Sequence, residues 1–362
     1  MGLSATEIEV VAPNLKRRLS GVTATVVRLV PLMARQMGVV ATGPGLPGHV
    51  PHVPLWRAAL LPRDCWRVWH ARRNTEMLLG LVLRRVLRRR YRLLFTSASQ
   101  RHHSRYTRWL ISKMDHVIAT SAKTAAYLEC PATVILHGID TDTFAPCGDR
   151  SALRARLDLP GGLLVGCYGR IRHQKGTDLF VDAMIETARV DPRVVGVVMG
   201  RATGKHREYE CALRARVAAA GLSGRILFRP EVPVSEMPAW YQALDLFVAP
   251  QRWEGFGLTP LEAMACGVPV LATRVGAFDE LVKQDETGRL IAADDAAGMA
   301  EALRALVSDP AGILRMGRAA REHVLARFRL EREAGEIIQV YRALLARKNA
   351  AGNTTCNGGT QT

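Results

Sequence analysis

No apolar run in this chain approaches the roughly 18 residues that a membrane-spanning helix needs, and no signal-peptide pattern opens it. Both absences point away from a membrane span or a secretory route and toward a cytoplasmic setting. The seven cysteines form an odd set without C-x-x-C spacing, which argues against a disulfide framework and for reduced thiols. The histidines show no H-E-x-x-H or comparable spacing, so no protein-held metal is expected. Acidic side chains are in short supply: 33 Asp+Glu face 50 Lys+Arg, a net charge of +17. The shortage is concentrated early. Residues 1–150 carry 22 Lys+Arg against 9 Asp+Glu, a surplus of 13, whereas the remainder has 28 against 24, a surplus of 4. Such a surplus suits an anionic partner. Nucleic acid is set aside, because no helix-turn-helix, zinc-ligand or aromatic-platform pattern accompanies the charge.

What is present is ordered in two successive runs of strands and helices. A length of 362 residues at 48% hydrophobic can bury two ordinary cores. In the first run, strands are expected at Glu7–Ala12, Gly38–Thr42, Arg67–Trp69, Leu93–Thr96, His116–Thr120 and Thr133–Leu136, with helices including Val22–Gln36, Asn74–Arg89 and Arg105–Lys113. The second run has strands at Leu163–Tyr168, Val194–Met199, Ile226–Phe228, Leu246–Ala249 and Val268–Ala272. Short apolar strands alternating with helices predict an α/β chain of two doubly wound parallel sheets, each buried on both faces. The polar stretch after Pro146 sets the expected domains at 1–148 and 149–330, followed by a helix over 331–348. The Gly/Thr/Asn-rich residues 349–362 read as a disordered tail.

The most informative segment is Glu254-Gly-Phe-Gly-Leu-Thr-Pro-Leu-Glu262, two carboxylates with seven residues between them. Gly255, Gly257 and Pro260 forbid one continuous helix, so Glu254 is expected on a loop and a new helix near Pro260. Thr259 would be its N-cap, Pro260 its first residue and Glu262 its third. The free amides of that turn favour an anion, and the two acids beside it can accept hydrogen bonds from hydroxyls. An anion flanked by hydroxyls describes a nucleotide sugar. Thr259-x-x-Glu262 equally fits a capping box, which would leave Glu262 a purely structural role. Two rival phosphate motifs fail. Gly43-Pro-Gly-Leu-Pro-Gly48 opens no helix, and Gly200-Arg-Ala-Thr-Gly-Lys205 has too few residues between its glycines.

The Glu254/Glu262 pair resembles the signature of the retaining GT-B glycosyltransferases of family 4. So do Val165-Gly-Cys-Tyr-Gly-Arg170-Ile-Arg-His-Gln-Lys175-Gly, Ala119-Thr-Ser121 and Ile135-Leu-His-Gly138-Ile-Asp140. The likeness implies two Rossmann-like domains with a cleft between them and a last helix that crosses back to the first domain. It implies a catalytic group of Arg170, Lys175 and Glu254, with both cations on the donor diphosphate in place of a magnesium ion. Around them Gly21, Gly255, Phe256, Gly257, Leu258, Thr259 and Glu262 would complete the donor site, Glu262 on the ribose diol. Stabilising the growing negative charge of the leaving group is the largest effect available to such an enzyme. Retention leaves two routes open, a protein nucleophile or same-face attack with the donor phosphate as base.

Lys16-Arg-Arg18-Leu-Ser-Gly21, Val68-Trp-His70-Ala-Arg72-Arg73-Asn74 and Phe95-Thr-Ser-Ala-Ser-Gln-Arg-His102-His103 narrow the likeness. They resemble the mannosyltransferases that build the inner core of lipopolysaccharide in some Gram-negative bacteria. That subgroup implies GDP-mannose as donor and a Kdo sugar on a lipid A precursor as acceptor. Lys16, Arg18, His70, Arg72, Arg73, His102 and His103 are the candidate acceptor contacts. Many relatives carry a histidine directly after the strand at Leu93–Thr96. Ser97-Ala-Ser-Gln stands here instead, so that either His102 or His103 substitutes or the role is absent. A partner surface is also suggested. On a helix running to Arg89, Arg84/Arg88 and Arg85/Arg89 would align on one face, suited to anionic lipid at the inner face of the cytoplasmic membrane. The plainer reading is a solvated basic face.

Overall fold

The structure, a computed structural model, describes residues 4–16 and 21–347. Arg18 and the tail over 349–362 lie outside the described residues. In chain order the elements are β1 (Val10–Pro13), α1 (Gly21–Met33), β2 (Val39–Thr42), α2 (Leu55–Leu60), β3 (Arg67–Ala71), α3 (Asn74–Arg85), β4 (Tyr91–Ser97), α4 (Arg105–Ile111), β5 (His116–Ala119), α5 (Ala122–Ala126) and β6 (Thr133–Val134). There follow α6 (Arg150–Arg156), β7 (Leu163–Tyr168), α7 (Thr177–Val190), β8 (Val194–Met199), α8 (Arg207–Ala219), β9 (Ile226–Arg229), α9 (Met237–Gln242), β10 (Leu246–Ala249) and α10 (Thr259–Ala265). The chain closes with β11 (Val270–Thr273), α11 (Phe278–Leu281), β12 (Gly288–Ile291), α12 (Ala296–Val307), α13 (Pro310–Arg327) and α14 (Leu330–Ala346).

These elements form two six-stranded sheets with every strand pair parallel, ordered β2-β1-β3-β4-β5-β6 and β12-β11-β10-β7-β8-β9. The chain divides at Leu136 and Arg329, so that α14 belongs to the first unit and His137–Arg329 form the second. The expected boundaries stood at 148 and 330. The segment after Leu136 is held within the second unit, where the Ile139 amide donates to the Phe328 carbonyl at 2.8 Å. Arg321 reinforces this by donating to the carbonyls of Thr141 and Phe144.

The period of two explains the first unit's core. Val10, Ala12, Val68 and Leu94 turn to one face, where they pack with Val26 and Leu29 of α1 and Ile337 and Ile338 of α14. Their neighbours Val11, Trp69, Leu93 and Phe95 turn to the other, against Met77 and Leu81 of α3 and Leu110 of α4. In the second unit, Val165, Cys167 and Val198 meet Phe180 and Met184 of α7 and Leu303 of α12. Burial on both faces is what makes these strands read as continuous apolar runs.

Three expectations need correction. The helix expected to reach Arg89 ends at Arg85, and Arg88 takes a left-handed φ of 50°. Buried Tyr91 must enter β4, so the chain needs Val86–Arg90 to reverse direction. Arg84 is no lipid-facing side chain either, since it pairs with Asp115 at 2.6 Å and donates to the Lys113 carbonyl at 2.9 Å. The four arginines therefore share no helix face. β12 was not expected, because an edge strand opening on Gly288 and buried only at alternate positions carries little apolar signal. Among the described cysteines, Cys130, Cys147, Cys167, Cys211 and Cys266 carry free thiols.

Candidate active site

The second unit assembles its charged groups at the carboxyl ends of β7 and β10, where ligands bind in open parallel sheets. After β7, Gly169 adopts a φ of 135°, and Arg170 follows it, exposed. Among the described residues no hydrogen bond or ion pair holds Arg170. A short 3-10 turn, His173–Lys175, then leads into Gly176 at a φ of 68°. A Cβ there would sit 1.8 Å from the Pro250 carbonyl oxygen, so only glycine lets this loop ride on the end of β10. That approach brings the Lys175 ammonium onto the Glu254 carboxylate as a direct ion pair, their side chains 22% and 19% exposed. Glu254 also accepts from the Gly255 amide at 2.9 Å.

The rest of the motif is tightly wedged. Gly257 has a φ of 89°, and a Cβ on it would meet the Phe278 ring at 2.2 Å. Phe256 is buried, edge-on to His137 at 4.8 Å, and its carbonyl accepts from the Ala277 amide. Leu258 caps α10 without any side-chain hydrogen bond, and Thr259 is already the helix's first residue. The expected capping box is therefore absent, with Pro260 second and Glu262 fourth. Glu262 instead accepts the Tyr241 hydroxyl at 2.7 Å. Burial, reinforced by the Glu262 charge, raises the Tyr241 phenol well above its ordinary range, so it remains a donor.

A second layer escaped the sequence reading. Arg252 binds Asp178 through two hydrogen bonds of 2.8 Å, reaches Asp294 at 2.6 Å, and donates to the His173 carbonyl at 2.7 Å. Tyr209 donates to Asp178 at 2.7 Å. Burial alone would raise the Asp178 carboxyl, but the Arg252 and Tyr209 hydrogen bonds outweigh it and lower the pKa to about 2. This network clamps the 170–176 loop to the 250–254 loop. Its signal was adjacency alone, Arg252 two residues before Glu254 and Asp178 three after Lys175.

In the first unit the candidate acceptor residues scatter. His70 is fully buried, one ring nitrogen 2.6 Å from the Tyr341 hydroxyl and the other 2.6 Å from the Thr96 hydroxyl. Burial, aided by Arg72, depresses its pKa well below the usual histidine value. It joins β3, β4 and α14 and has no open face, so the expected acceptor contact is replaced by a packing role. Arg72 is buried beside it, donating to the His70 carbonyl. Arg73 reaches Glu76 at 2.7 Å, Asn14 at 3.0 Å and Thr23 at 3.2 Å. Fully buried Glu76 accepts from the Arg72 amide as well, which makes it the anchor of the β1 and β3 ends. Asn14, Thr23 and Glu76 were missed, because nothing in their spacing sets them apart. Gly21 opens α1 with no atom within 4 Å of its missing Cβ. Lys16 is exposed, as is His102, which meets the Tyr127 ring edge-on at 5.2 Å. His103 has a buried Nε2 without a hydrogen-bond partner, and burial and Arg101 lower its pKa below the ordinary histidine value. Among the described residues no three His, Cys, Asp or Glu side chains are grouped to hold a metal ion.

The family of glycosyl transferases group 1 matches residues 149–323. The chain is 52% identical over 354 residues to the lipopolysaccharide core biosynthesis mannosyltransferase LpsB of Rhizobium meliloti (strain 1021), which covers 94% of this chain and 98% of that protein. To the lipopolysaccharide core biosynthesis mannosyltransferase LpcC of Rhizobium leguminosarum bv. viciae it is 50% identical over 346 residues, 94% and 97% of the two chains. Among solved structures, Anabaena Alr3699/HepE in complex with UDP aligns with a TM-score of 0.81 at 19% identity, covering 93% of this chain and all of that one. That likeness bears on the fold alone, and the fold is GT-B.

Proposed function

The chain belongs to the group 1 glycosyl transferases, and from that premise we propose that it moves mannose from GDP-mannose to a Kdo residue of the lipopolysaccharide inner core with retention at the anomeric carbon. The observation that carries the reading is the Lys175–Glu254 pair at the joined ends of β7 and β10, with exposed Arg170 on the same loop. The names of the two rhizobial relatives supply the sugar and the glycan.

In this reading Arg170 and Lys175 bind the donor diphosphate and stabilise the charge that grows on it as the C1–O bond breaks. Glu254 both holds Lys175 in place and accepts hydrogen bonds from the sugar hydroxyls. The amides of Gly255–Leu258 line the donor, with Phe256, Gly257 and Thr259 fixing their path. Glu262, oriented by Tyr241, takes the ribose diol. Gly21 lets the first unit's chain approach the phosphate. The oxygen that leaves C1 sits on the face the acceptor attacks, so the departing phosphate can take the acceptor's proton. Lys16, Arg18, Arg72, Arg73, His102 and His103 remain the acceptor candidates, Arg72 and Arg73 by fixing the strand ends. The enzyme works at the inner face of the cytoplasmic membrane, docked through its basic first unit. Among the described residues no helix is long and apolar enough to cross a membrane.

The test is donor hydrolysis and transfer with a panel of GDP- and UDP-sugars on a soluble Kdo acceptor, with the product anomer read by NMR. An α-mannoside formed from GDP-mannose is the expected result. Preference for a UDP-sugar, or a product of inverted configuration, would refute the assignment.

A further inference from the structure

Large hydrophobic side chains are exposed unevenly over this molecule. Ten of the fourteen found among the described residues lie in the first unit, and nine of these fall between Leu55 and Trp109. Six belong to one neighbourhood. Trp56 and Leu60 stand four apart on α2, 66% and 60% exposed. Leu78 and Val82 stand four apart on α3, and the same spacing continues to Val86, 70% exposed, with Leu87 beside it. Hydrogen bonds join the two parts. Arg63 donates to the Leu87 carbonyl at 2.9 Å, Arg89 to the Leu61 carbonyl at 3.2 Å, and the Tyr91 hydroxyl to the Ala58 carbonyl at 2.7 Å.

The surroundings of this ridge carry one sign of charge. Between Glu9 and Asp115 the only acidic residues are Asp64 and Glu76. Glu76 is fully buried, and Asp64 pairs with Arg67 at 3.1 Å. Arg63, Arg85, Arg88 and Arg90 are exposed around the same turn. Isolated exposed apolar residues need no explanation, but a cluster of them ringed by unopposed cations does. A tryptophan and aliphatic side chains at a basic rim match the chemistry of an anionic lipid surface, where the rings and chains enter the headgroup boundary and the guanidinium groups meet phosphates.

We propose that Trp56, Leu60, Val86 and Leu87 insert into an anionic bilayer, so that the first unit docks by apolar insertion as well as by charge. The inference rests on the membrane-facing part of the proposed function and gives it a definite surface, different from the four-arginine helix face expected from the sequence.

The experiment uses the full chain with vesicles of phosphatidylethanolamine and phosphatidylglycerol, measured by co-sedimentation at low and high salt. Trp56→Ser/Leu60→Ser/Val86→Ser/Leu87→Ser should bind at least roughly tenfold more weakly than the parent. It should still transfer to a soluble acceptor at the parent's rate, because all four side chains face solvent. Near 1 M salt, where screening leaves charge a reach of about 3 Å, the parent should keep a residual affinity that this variant lacks. Lipid-borne quenchers should dim the parent's tryptophan emission more than that of Trp56→Phe. Parent-like vesicle binding by the apolar variant, with equal quenching of Trp56→Phe, would overturn the insertion while leaving a purely charge-driven membrane contact standing. A parent that ignores the vesicles altogether would remove both. A parent that ignores them and forms a dimer dissolved by the four substitutions would assign the ridge to a second copy of the chain, which also overturns the proposal.

Discussion

The strand ends of the two units are built from opposite electrostatic materials. In the second unit, opposite charges are matched across two loops, Lys175 with Glu254 and Arg252 with Asp178 and Asp294. In the first, the corresponding strand ends hold a neutral histidine sealed between two hydroxyls and one buried carboxylate shared among backbone amides and Arg73. The first unit's spare cations lie instead on its outer surface. Under the proposed function, the second unit fixes one cation, Lys175, by pairing it with an acid on a neighbouring loop, and keeps Arg170 exposed on the same loop for the diphosphate. A scaffold that only has to hold strands in place is better served by groups sealed from solvent, the neutral His70 and a carboxylate whose partners are all internal. Breaking an ion pair that faces the substrate should therefore change rate, and breaking a sealed network should change stability.

The sharpest test of that distinction is at the cations. Lys175→Ala or Arg170→Ala should lower transfer by roughly 10²-fold or more, as loss of one contact to developing charge commonly does, with a melting temperature close to the parent's. Near-normal turnover in either variant would take that side chain out of the mechanism. Arg84→Gln makes the contrast, since its partner is Asp115 in the first unit, and it should affect unfolding and leave turnover alone.

A smaller difference is expected inside the motif. Glu254→Gln removes the partner of Lys175 and should cost roughly tenfold or more in rate. Glu262→Gln keeps an acceptor for the Tyr241 hydroxyl, so its effect should fall on donor affinity with little change in melting temperature. Parent-like donor binding in Glu262→Gln would end the ribose assignment.

The motif was legible because its chemistry is local. Glycines that demand a left-handed or crowded backbone stand out in one dimension, as Gly176 and Gly257 do, and so do acids placed beside them. Both sheets were legible for a similar reason, since strands buried on two faces are apolar without interruption. The register of α10 differs by one residue because Thr259 is the better N-cap by its side chain, whereas the helix starts after Leu258 without a side-chain cap. The α3 helix was read too long because an arginine run has good helix propensity, while the need to turn into β4 is a tertiary demand. Arg252, Asp178, Asn14 and Glu76 were invisible since their partners come from distant elements, up to 74 residues away for Arg252 and Asp178.

Asp178 gives a stability effect within the second unit. Its carboxyl is depressed from 3.8 to about 2, so the folded state holds its proton less tightly than the unfolded chain. The stabilisation is complete above about pH 4 and is lost as pH falls through about 2, and the shift corresponds to about 2 kcal/mol. Asp178→Asn should lower the urea-derived stability by about that amount near pH 7 and by progressively less as the buffer is acidified. An equal loss at all pH values would show that shape, not charge, is what Asp178 supplies.

The smallest effect separates the two materials most directly, because it concerns a group that titrates in the first unit and should leave catalysis untouched. His70 is held neutral by burial and by Arg72, its pKa well below 6.5. Below that value the unfolded chain takes up a proton that the folded chain refuses. Stability from this residue is thus present above pH 6.5 and is lost as pH falls beneath it, at up to about 1.4 kcal/mol per pH unit. In His70→Gln the amide can still meet the Tyr341 or Thr96 hydroxyl but cannot titrate. The difference in unfolding free energy between parent and variant should shrink by about 1 kcal/mol from pH 6.5 to 5.5. Tyr341→Phe, which removes one hydrogen bond of the same cluster, should cost about 1 kcal/mol and leave the histidine's slope in place. A pH-independent difference in His70→Gln would mean that the ring titrates in the folded state as it does in the unfolded chain, and a change in acceptor KM in either variant would return His70 to the substrate.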